Sequence, residues 1–68
     1  MFSITIHEVH GRKHAYTGLR YKAESLPRAR QEAASGLRYA AQYYETPRAS
    51  FVALVLDRHG HTIEEIRG

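Results

Sequence analysis

Cysteine and tryptophan are absent from this chain, which has 68 residues, two prolines and a single methionine. Without cysteine, neither a disulfide nor a cysteine-ligated zinc site can form. The longest apolar run spans only residues 51–56, far short of the roughly 18–20 residues that cross a bilayer. The first residues alternate apolar and polar side chains, whereas a signal peptide has a basic stretch followed by a continuous apolar one. We therefore expect one cytoplasmic domain, residues 1–68.

Acidic residues are also scarce beside basic ones, 7 against 10, which gives a net charge of +3. The excess is concentrated in residues 10–48, where eight basic side chains face three acidic ones and the net charge is +5, while the rest of the chain carries −2. A basic segment of this kind suits contact with nucleic acid or with an acidic protein surface. An arginine-rich surface can equally serve only for solvation.

Four segments have the composition of strands. The first predicted strand begins at Phe2, and the other three span about residues 16–24, 49–57 and 62–67. The first two alternate with a period of two, the pattern of a half-buried strand. Residues 10–14 and 57–61 are polar and contain glycine, which predicts a loop and a hairpin turn. Ile63 and Ile66 break the alternation of the last strand, so we expect a bulge or fraying there.

A helix is predicted between the second and third strands, ending at about Tyr44. Ser25 is a good N-cap, Pro27 stands where its missing N–H costs nothing, and Pro47 prevents the helix from continuing. Gly36 lies beside the apolar stripe and marks either a close approach to the sheet or a kink. The stripe repeats at steps of three and four and consists of Leu26, Ala29, Ala33, Leu37, Ala40 and Tyr44.

The order of elements is thus β-β-α-β-β. We predict an α+β fold, a two-layer sandwich in which one helix covers one face of a four-stranded antiparallel sheet. Strand order 2-1-3-4 makes every pair of neighbours antiparallel and needs a single right-handed crossover.

The third strand has apolar side chains on both of its faces. Phe51, Ala53 and Val55 are expected to meet the helix, which leaves three others on the open face of the sheet, with Val9 and Ile66 expected beside them. An apolar outer face usually marks an interface, so we predict self-association, as a homodimer, through Val52, Leu54 and Leu56. The alternative is that the methylene stems of long basic neighbours cover this face.

The five histidines do not predict a metal site. They form one group in the first strand and its loop and a second group at His59 and His61, and the topology places these groups at opposite ends of the sheet. No phosphate loop, nucleophile elbow or paired-carboxylate pattern is present. We therefore predict no cofactor and no enzyme. One catalytic alternative stays open, a small ribonuclease toxin with His59 or His61 as acid–base and Arg58 on the phosphate.

A third surface combines arginine with tyrosine on the exposed side of the helix and the adjoining loops. Such a surface suits phosphate contact with base stacking, and it also suits a protein interface, where both residues are enriched in hot spots. The tyrosines can instead only cover the edge of the core, with their hydroxyls in water. The predicted binding residues are Arg12, Lys13, Arg38, Tyr39, Tyr43 and Arg48.

The layout resembles small phage-encoded anti-CRISPR proteins that pair a curved antiparallel sheet with one helix. The likeness lies in segments 6–9, 23–26 and 57–60 and in Ala29, Ala33, Ala34 and Ser35, and it covers most of the chain. The resemblance implies a non-catalytic inhibitor, acting in the host cytoplasm, that binds a Cas subunit of a CRISPR surveillance complex and blocks guide–target pairing or DNA loading. Our leading hypothesis is therefore a small binding protein that occludes a partner surface. The alternative is a direct DNA- or RNA-binding module.

Overall fold

The chain folds in the predicted order β-β-α-β-β. The structure is a computed structural model that describes all 68 residues. Its elements are β1 (Phe2–His10), β2 (Lys13–Ala23), α1 (Leu26–Tyr43), a 3₁₀ helix (Arg48–Ser50), β3 (Phe51–Leu56) and β4 (Thr62–Arg67). The strands form one antiparallel sheet in the order β2-β1-β3-β4, and α1 packs across one face. The predicted α+β fold and strand order are confirmed.

The core lies between α1 and the helix-facing side of the sheet. Alanines at 29, 33 and 40 are fully buried, as is Leu37. Because these side chains are small, the helix approaches the sheet closely. Gly36 shows how closely: a Cβ atom there would lie 2.7 Å from a ring carbon of Tyr21 and 2.8 Å from the Cδ1 atom of Ile6. Of the two roles predicted for Gly36, close approach is the one observed.

Both ends of α1 follow from local sequence. The Ser25 hydroxyl accepts a hydrogen bond from the Arg28 backbone N–H at 3.3 Å, which satisfies one donor of the first turn. At the other end, Glu45 takes a positive φ of 52°, and the Thr46 N–H donates to the Ala41 carbonyl. Pro47 follows and prevents the helix from continuing. The predicted N-cap is confirmed, and the helix ends one residue earlier than predicted.

The hairpin between β1 and β2 is longer than the sequence predicts. Residues 10–14 were expected to form a loop, but His10 pairs with Lys13 across a two-residue turn, and Gly11 has a φ of +64°. Polar residues next to a turn do not alternate with apolar ones when both of their faces meet water. The period-two signal is therefore missing from strand residues 13–15, although backbone pairing continues through them.

Two irregularities interrupt the ladders. In β2, Thr5 pairs with Arg20 and His7 pairs with Tyr16, so residues 17–19 bulge opposite one residue of β1; Gly18 adopts a φ of +91° there. In β4, the register shifts between Val55 and Leu56. The second irregularity leaves Ile63 unpaired and is the bulge that the broken alternation predicts.

Candidate binding surfaces

Three tyrosines at the end of α1 form an exposed aromatic cluster, which we call the tyrosine patch: Tyr39, Tyr43 and Tyr44. The rings of Tyr39 and Tyr43 stack with centroids 5.9 Å apart, and Tyr44 meets Tyr43 edge-on at 4.9 Å. The side chains are 49%, 65% and 42% exposed, respectively. The contacts hold the rings together although each of them faces solvent.

The tyrosine patch is anchored to the rest of the fold through Tyr44. The ring of Tyr44 stacks on the buried Phe51 with centroids 5.9 Å apart, and its hydroxyl donates to the Thr17 carbonyl at 3.3 Å. Next to the patch, the Arg38 guanidinium donates to the Ser35 hydroxyl at 3.4 Å and has no carboxylate partner. The end of α1 thus exposes a cation, Arg38, and three aromatic rings in mutual contact.

The six predicted binding residues come from three different parts of the fold. Arg38, Tyr39 and Tyr43 are together on α1, while Arg48 begins the 3₁₀ helix that leads into β3. Arg12 and Lys13 are at the tip of the β1–β2 hairpin. The last β1–β3 pair is Glu8 with Phe51, so the hairpin extends beyond β3, and its tip makes no hydrogen bond or ion pair with the tyrosine patch.

The open face of the sheet exposes less apolar surface than the sequence suggests. Val52 has no accessible surface, because it lies between its cross-strand neighbours His7 and Arg67. Leu54 and Leu56 are half-buried. The expectation for Ile66 is wrong: the β4 bulge turns it to the helix side, where it pairs with Ala53 and packs on the core. A homodimer through this face would therefore use Leu54 and Leu56.

A groove of about 430 Å³ lies on the open face of the sheet, at the end where β1 begins and the β3–β4 turn lies. We call it the open-face groove. It contains three cations, Arg20, Lys22 and Arg58, and the hydroxyl side chains of Ser3 and Thr5. The Arg20 guanidinium donates to the Ser3 hydroxyl at 3.5 Å. The lining is completed by Met1, Leu56, Asp57 and Gly60.

The cations of the open-face groove have no acidic partner. Three arginines in the chain are ion-paired, the shortest contact being Arg30 to Glu64 at 2.9 Å, and the other pairs are Arg28 with Glu32 and Arg67 with Glu65. The remaining seven lysines and arginines, including all three in the groove, have no carboxylate within 4.0 Å. The excess positive charge is therefore free to meet an anion.

Asp57 is the one carboxylate in the open-face groove, and its role is to hold the turn. One of its oxygens accepts the backbone N–H groups of His59 and His61, each at 2.9 Å. These bonds, chiefly the one from His61, lower the pKa of the Asp57 carboxyl below its usual value. The carboxylate is thus ionised and directed at the turn, and the groove keeps an excess of two positive charges.

The histidines remain in two groups. His7 lies 5.4 Å from the Tyr16 ring and 6.3 Å from His14. Burial lowers the His7 pKa, and the nearby His14 lowers it further. His59 and His61 are both exposed at the β3–β4 turn, where Arg58 donates to His59 at 3.3 Å. Nowhere do three metal-ligating side chains converge.

Sequence reasoning missed the open-face groove because it depends on strand register. The outward positions of Arg20 and Lys22 are visible in the alternation of β2. Their positions opposite Thr5 and Ser3 follow only from the pairing. Arg58 joins them because the β3–β4 turn folds back at the same end of the sheet.

Comparison with protein-family models, with curated proteins and with solved structures gave no match. No helix of the protein is both long and apolar enough to cross a membrane.

Proposed function

We propose that this protein is a non-catalytic binding protein that occludes a surface of a protein partner with its tyrosine patch and Arg38. The observation behind the proposal is the exposed cluster in which Tyr39 stacks on Tyr43 and Tyr44 meets Tyr43 edge-on. Tyr44 stacks on the buried Phe51, whereas Tyr39 and Tyr43 stack on each other and stay 49% and 65% exposed.

The energetics of association favour this surface. Tyrosine and arginine are the residues that most often dominate binding free energy at interfaces. Rings already held by mutual contact lose little further freedom on binding, which lowers the entropic cost. An interface of standard size buries about 800 Å² on each partner. That area is less than a fifth of the 4549 Å² accessible surface of this protein, so an interface of standard size would use only a minor part of the surface.

The resemblance to anti-CRISPR proteins supplies the partner class. On this proposal the partner is a Cas subunit of a CRISPR surveillance complex, met in the host cytoplasm, and the bound protein blocks guide–target pairing or DNA loading. Inhibition by occlusion needs no catalytic group, in keeping with a surface built from tyrosine and arginine.

The test uses purified CRISPR surveillance complexes and measures their binding to labelled target DNA as the protein is added. Wild-type protein should inhibit, and the double variant Tyr39→Ala/Tyr43→Ala should need at least about 30-fold more protein, the equivalent of a hot spot of about 2 kcal/mol. Gln42→Ala, an exposed change on the same helix, should inhibit like wild type. Circular dichroism checks that both variants fold.

Two results would count against the proposal. Inhibition that is unchanged in the double variant would remove the tyrosine patch as the binding surface. No inhibition of any complex by wild-type protein would remove the Cas subunit as partner.

A further inference from the structure

The open face of the sheet carries cationic, hydroxyl and aromatic side chains that are not part of the tyrosine patch. Residues paired across β1 and β2 point to the same side, so the pairs Ser3–Lys22, Thr5–Arg20 and His7–Tyr16 form one ladder on this face. With a rise of about 3.3 Å per residue, the step from Ser3 to His7 covers roughly 13 Å. Cations and hydroxyls thus occupy one end of the ladder, and an aromatic ring occupies the other.

The cationic end is suited to phosphate. The groove brings Arg20 and Lys22 from β2 together with Arg58 from the β3–β4 turn, and no carboxylate lies within 4.0 Å of any of them. Ser3 and Thr5 add hydroxyl groups to the same lining; the Thr5 hydroxyl is hydrogen-bonded to His7 Nε2 at 2.8 Å, and the Ser3 hydroxyl accepts from Arg20 and can still donate. Arginine, lysine and hydroxyl side chains are the groups that most often hold nucleic-acid phosphates.

The aromatic end is suited to a base. Tyr16 is 53% exposed, and its ring is supported by His7 at a centroid distance of 5.4 Å. An exposed ring beside a cationic track is the arrangement with which proteins bind single strands, because every base has a face that can stack. In a duplex the bases are stacked on each other and a flat sheet cannot reach between them.

We propose that this face binds single-stranded nucleic acid, with Arg20, Lys22 and Arg58 on the phosphates and Tyr16 stacked on a base. The strand follows the β1–β2 side of the sheet toward the hairpin tip, where Arg12 and Lys13 extend the positive charge. The face lies on the other side of the sheet from α1, so the site is separate from the tyrosine patch, and either proposal can fail alone.

The experiment measures fluorescence anisotropy of labelled ten-residue oligothymidine and oligouridine between about 50 and 200 mM salt. Three phosphate contacts give a slope of about −2 in a plot of log affinity against log salt, so affinity should fall about 20-fold over this range. The double variant Arg20→Gln/Lys22→Gln should reduce the slope by about 1.4. Arg28→Gln, which also removes a positive charge but lies on α1, should leave the slope unchanged.

The aromatic contact is tested separately. Tyr16→Ala should weaken binding by about 5- to 160-fold, the range that alanine substitution of a stacking ring gives, while Tyr16→Phe should retain affinity because the ring is kept. All of these side chains are exposed, and circular dichroism confirms that each variant folds.

Three outcomes would overturn the proposal. The first is no binding by wild-type protein at about 50 mM salt. The second is an equal slope for wild type and the Arg20→Gln/Lys22→Gln variant. The third is a lack of selectivity for a single strand. It would appear as equal affinity for a duplex of the same length, or as displacement of the labelled oligonucleotide by ATP at the same concentration as the oligonucleotide.

Discussion

Replacing Gly36 by alanine tests how tightly α1 is packed on the sheet. In an isolated helix this change is favourable by about 1 kcal/mol, because glycine loses more backbone freedom than alanine. Here the new methyl group would lie 2.7 Å from the Tyr21 ring and 2.8 Å from the end of the Ile6 side chain. Both distances are shorter than any relaxed carbon–carbon contact.

The two effects oppose each other, and their sizes decide the sign. Overpacking a well-packed core by one methyl group costs about 1–3 kcal/mol. Ile6 is fully buried and cannot move aside without displacing its neighbours. We therefore expect Gly36→Ala to lower the free energy of unfolding by about 1 kcal/mol net. In a domain of this size that corresponds to a melting temperature lower by about 4–8 °C.

Urea denaturation followed by circular dichroism measures the change. With a slope of about 1 kcal/mol per molar urea for a small protein, the midpoint should fall by about 1 M. Ser35→Ala, a change at the exposed residue just before Gly36, is the control and should leave the midpoint equal or slightly higher. Ile6→Val shortens the side chain that the methyl group meets, so it should cost less in the Gly36→Ala protein than in wild type. A midpoint that rises in Gly36→Ala would refute the close-packing argument.

Further predictions concern the helix cap and two titrating groups. Ser25→Ala removes the hydrogen bond from the Arg28 N–H and should lower the free energy of unfolding, measured by urea denaturation, by about 1 kcal/mol. An unchanged midpoint would show that the cap does not stabilise the helix. The folded-state pKa of Asp57 lies below its usual 3.8. The stability that the ionised Asp57 gives to the folded protein is therefore complete above pH 3.8 and is lost as the pH falls through the folded-state pKa. Asp57→Asn should therefore be less stable at neutral pH and lose less on acidification, and equal acid sensitivity would contradict this. His7 should titrate by NMR below 6.5, and stability should fall as pH drops from 6.5 through that midpoint; a midpoint at or above 6.5 would contradict the effect of burial.

The strand order could be predicted because each element has a strong local signal. Ser25 and Pro47 bound the helix, the apolar run of β3 requires a central position, and short connections leave few ways to pair the strands. The β4 bulge could also be predicted, because Ile63 and Ile66 cannot both face the core in a regular strand.

The details that sequence could not provide all depend on register. Nothing in the pattern of β2 shows that residues 17–19 bulge opposite a single residue. Without that bulge, the pairing of Tyr16 with His7 cannot be inferred. The open-face position predicted for Ile66 is wrong for the same reason, since a bulge of one residue reverses every side chain beyond it. The burial of Val52 likewise depends on which side chains lie across from it.

The bulge at Gly18 has a consequence for how copies of this protein can meet. β2 and β4 are the two edges of the open sheet, and an unpaired edge is a template on which another chain can add a strand. The left-handed backbone at Gly18 interrupts the β2 edge, and Arg20 and Lys22 place charge beside it. β4 is six residues long with three charged side chains. Both edges are therefore poor templates for edge-to-edge aggregation.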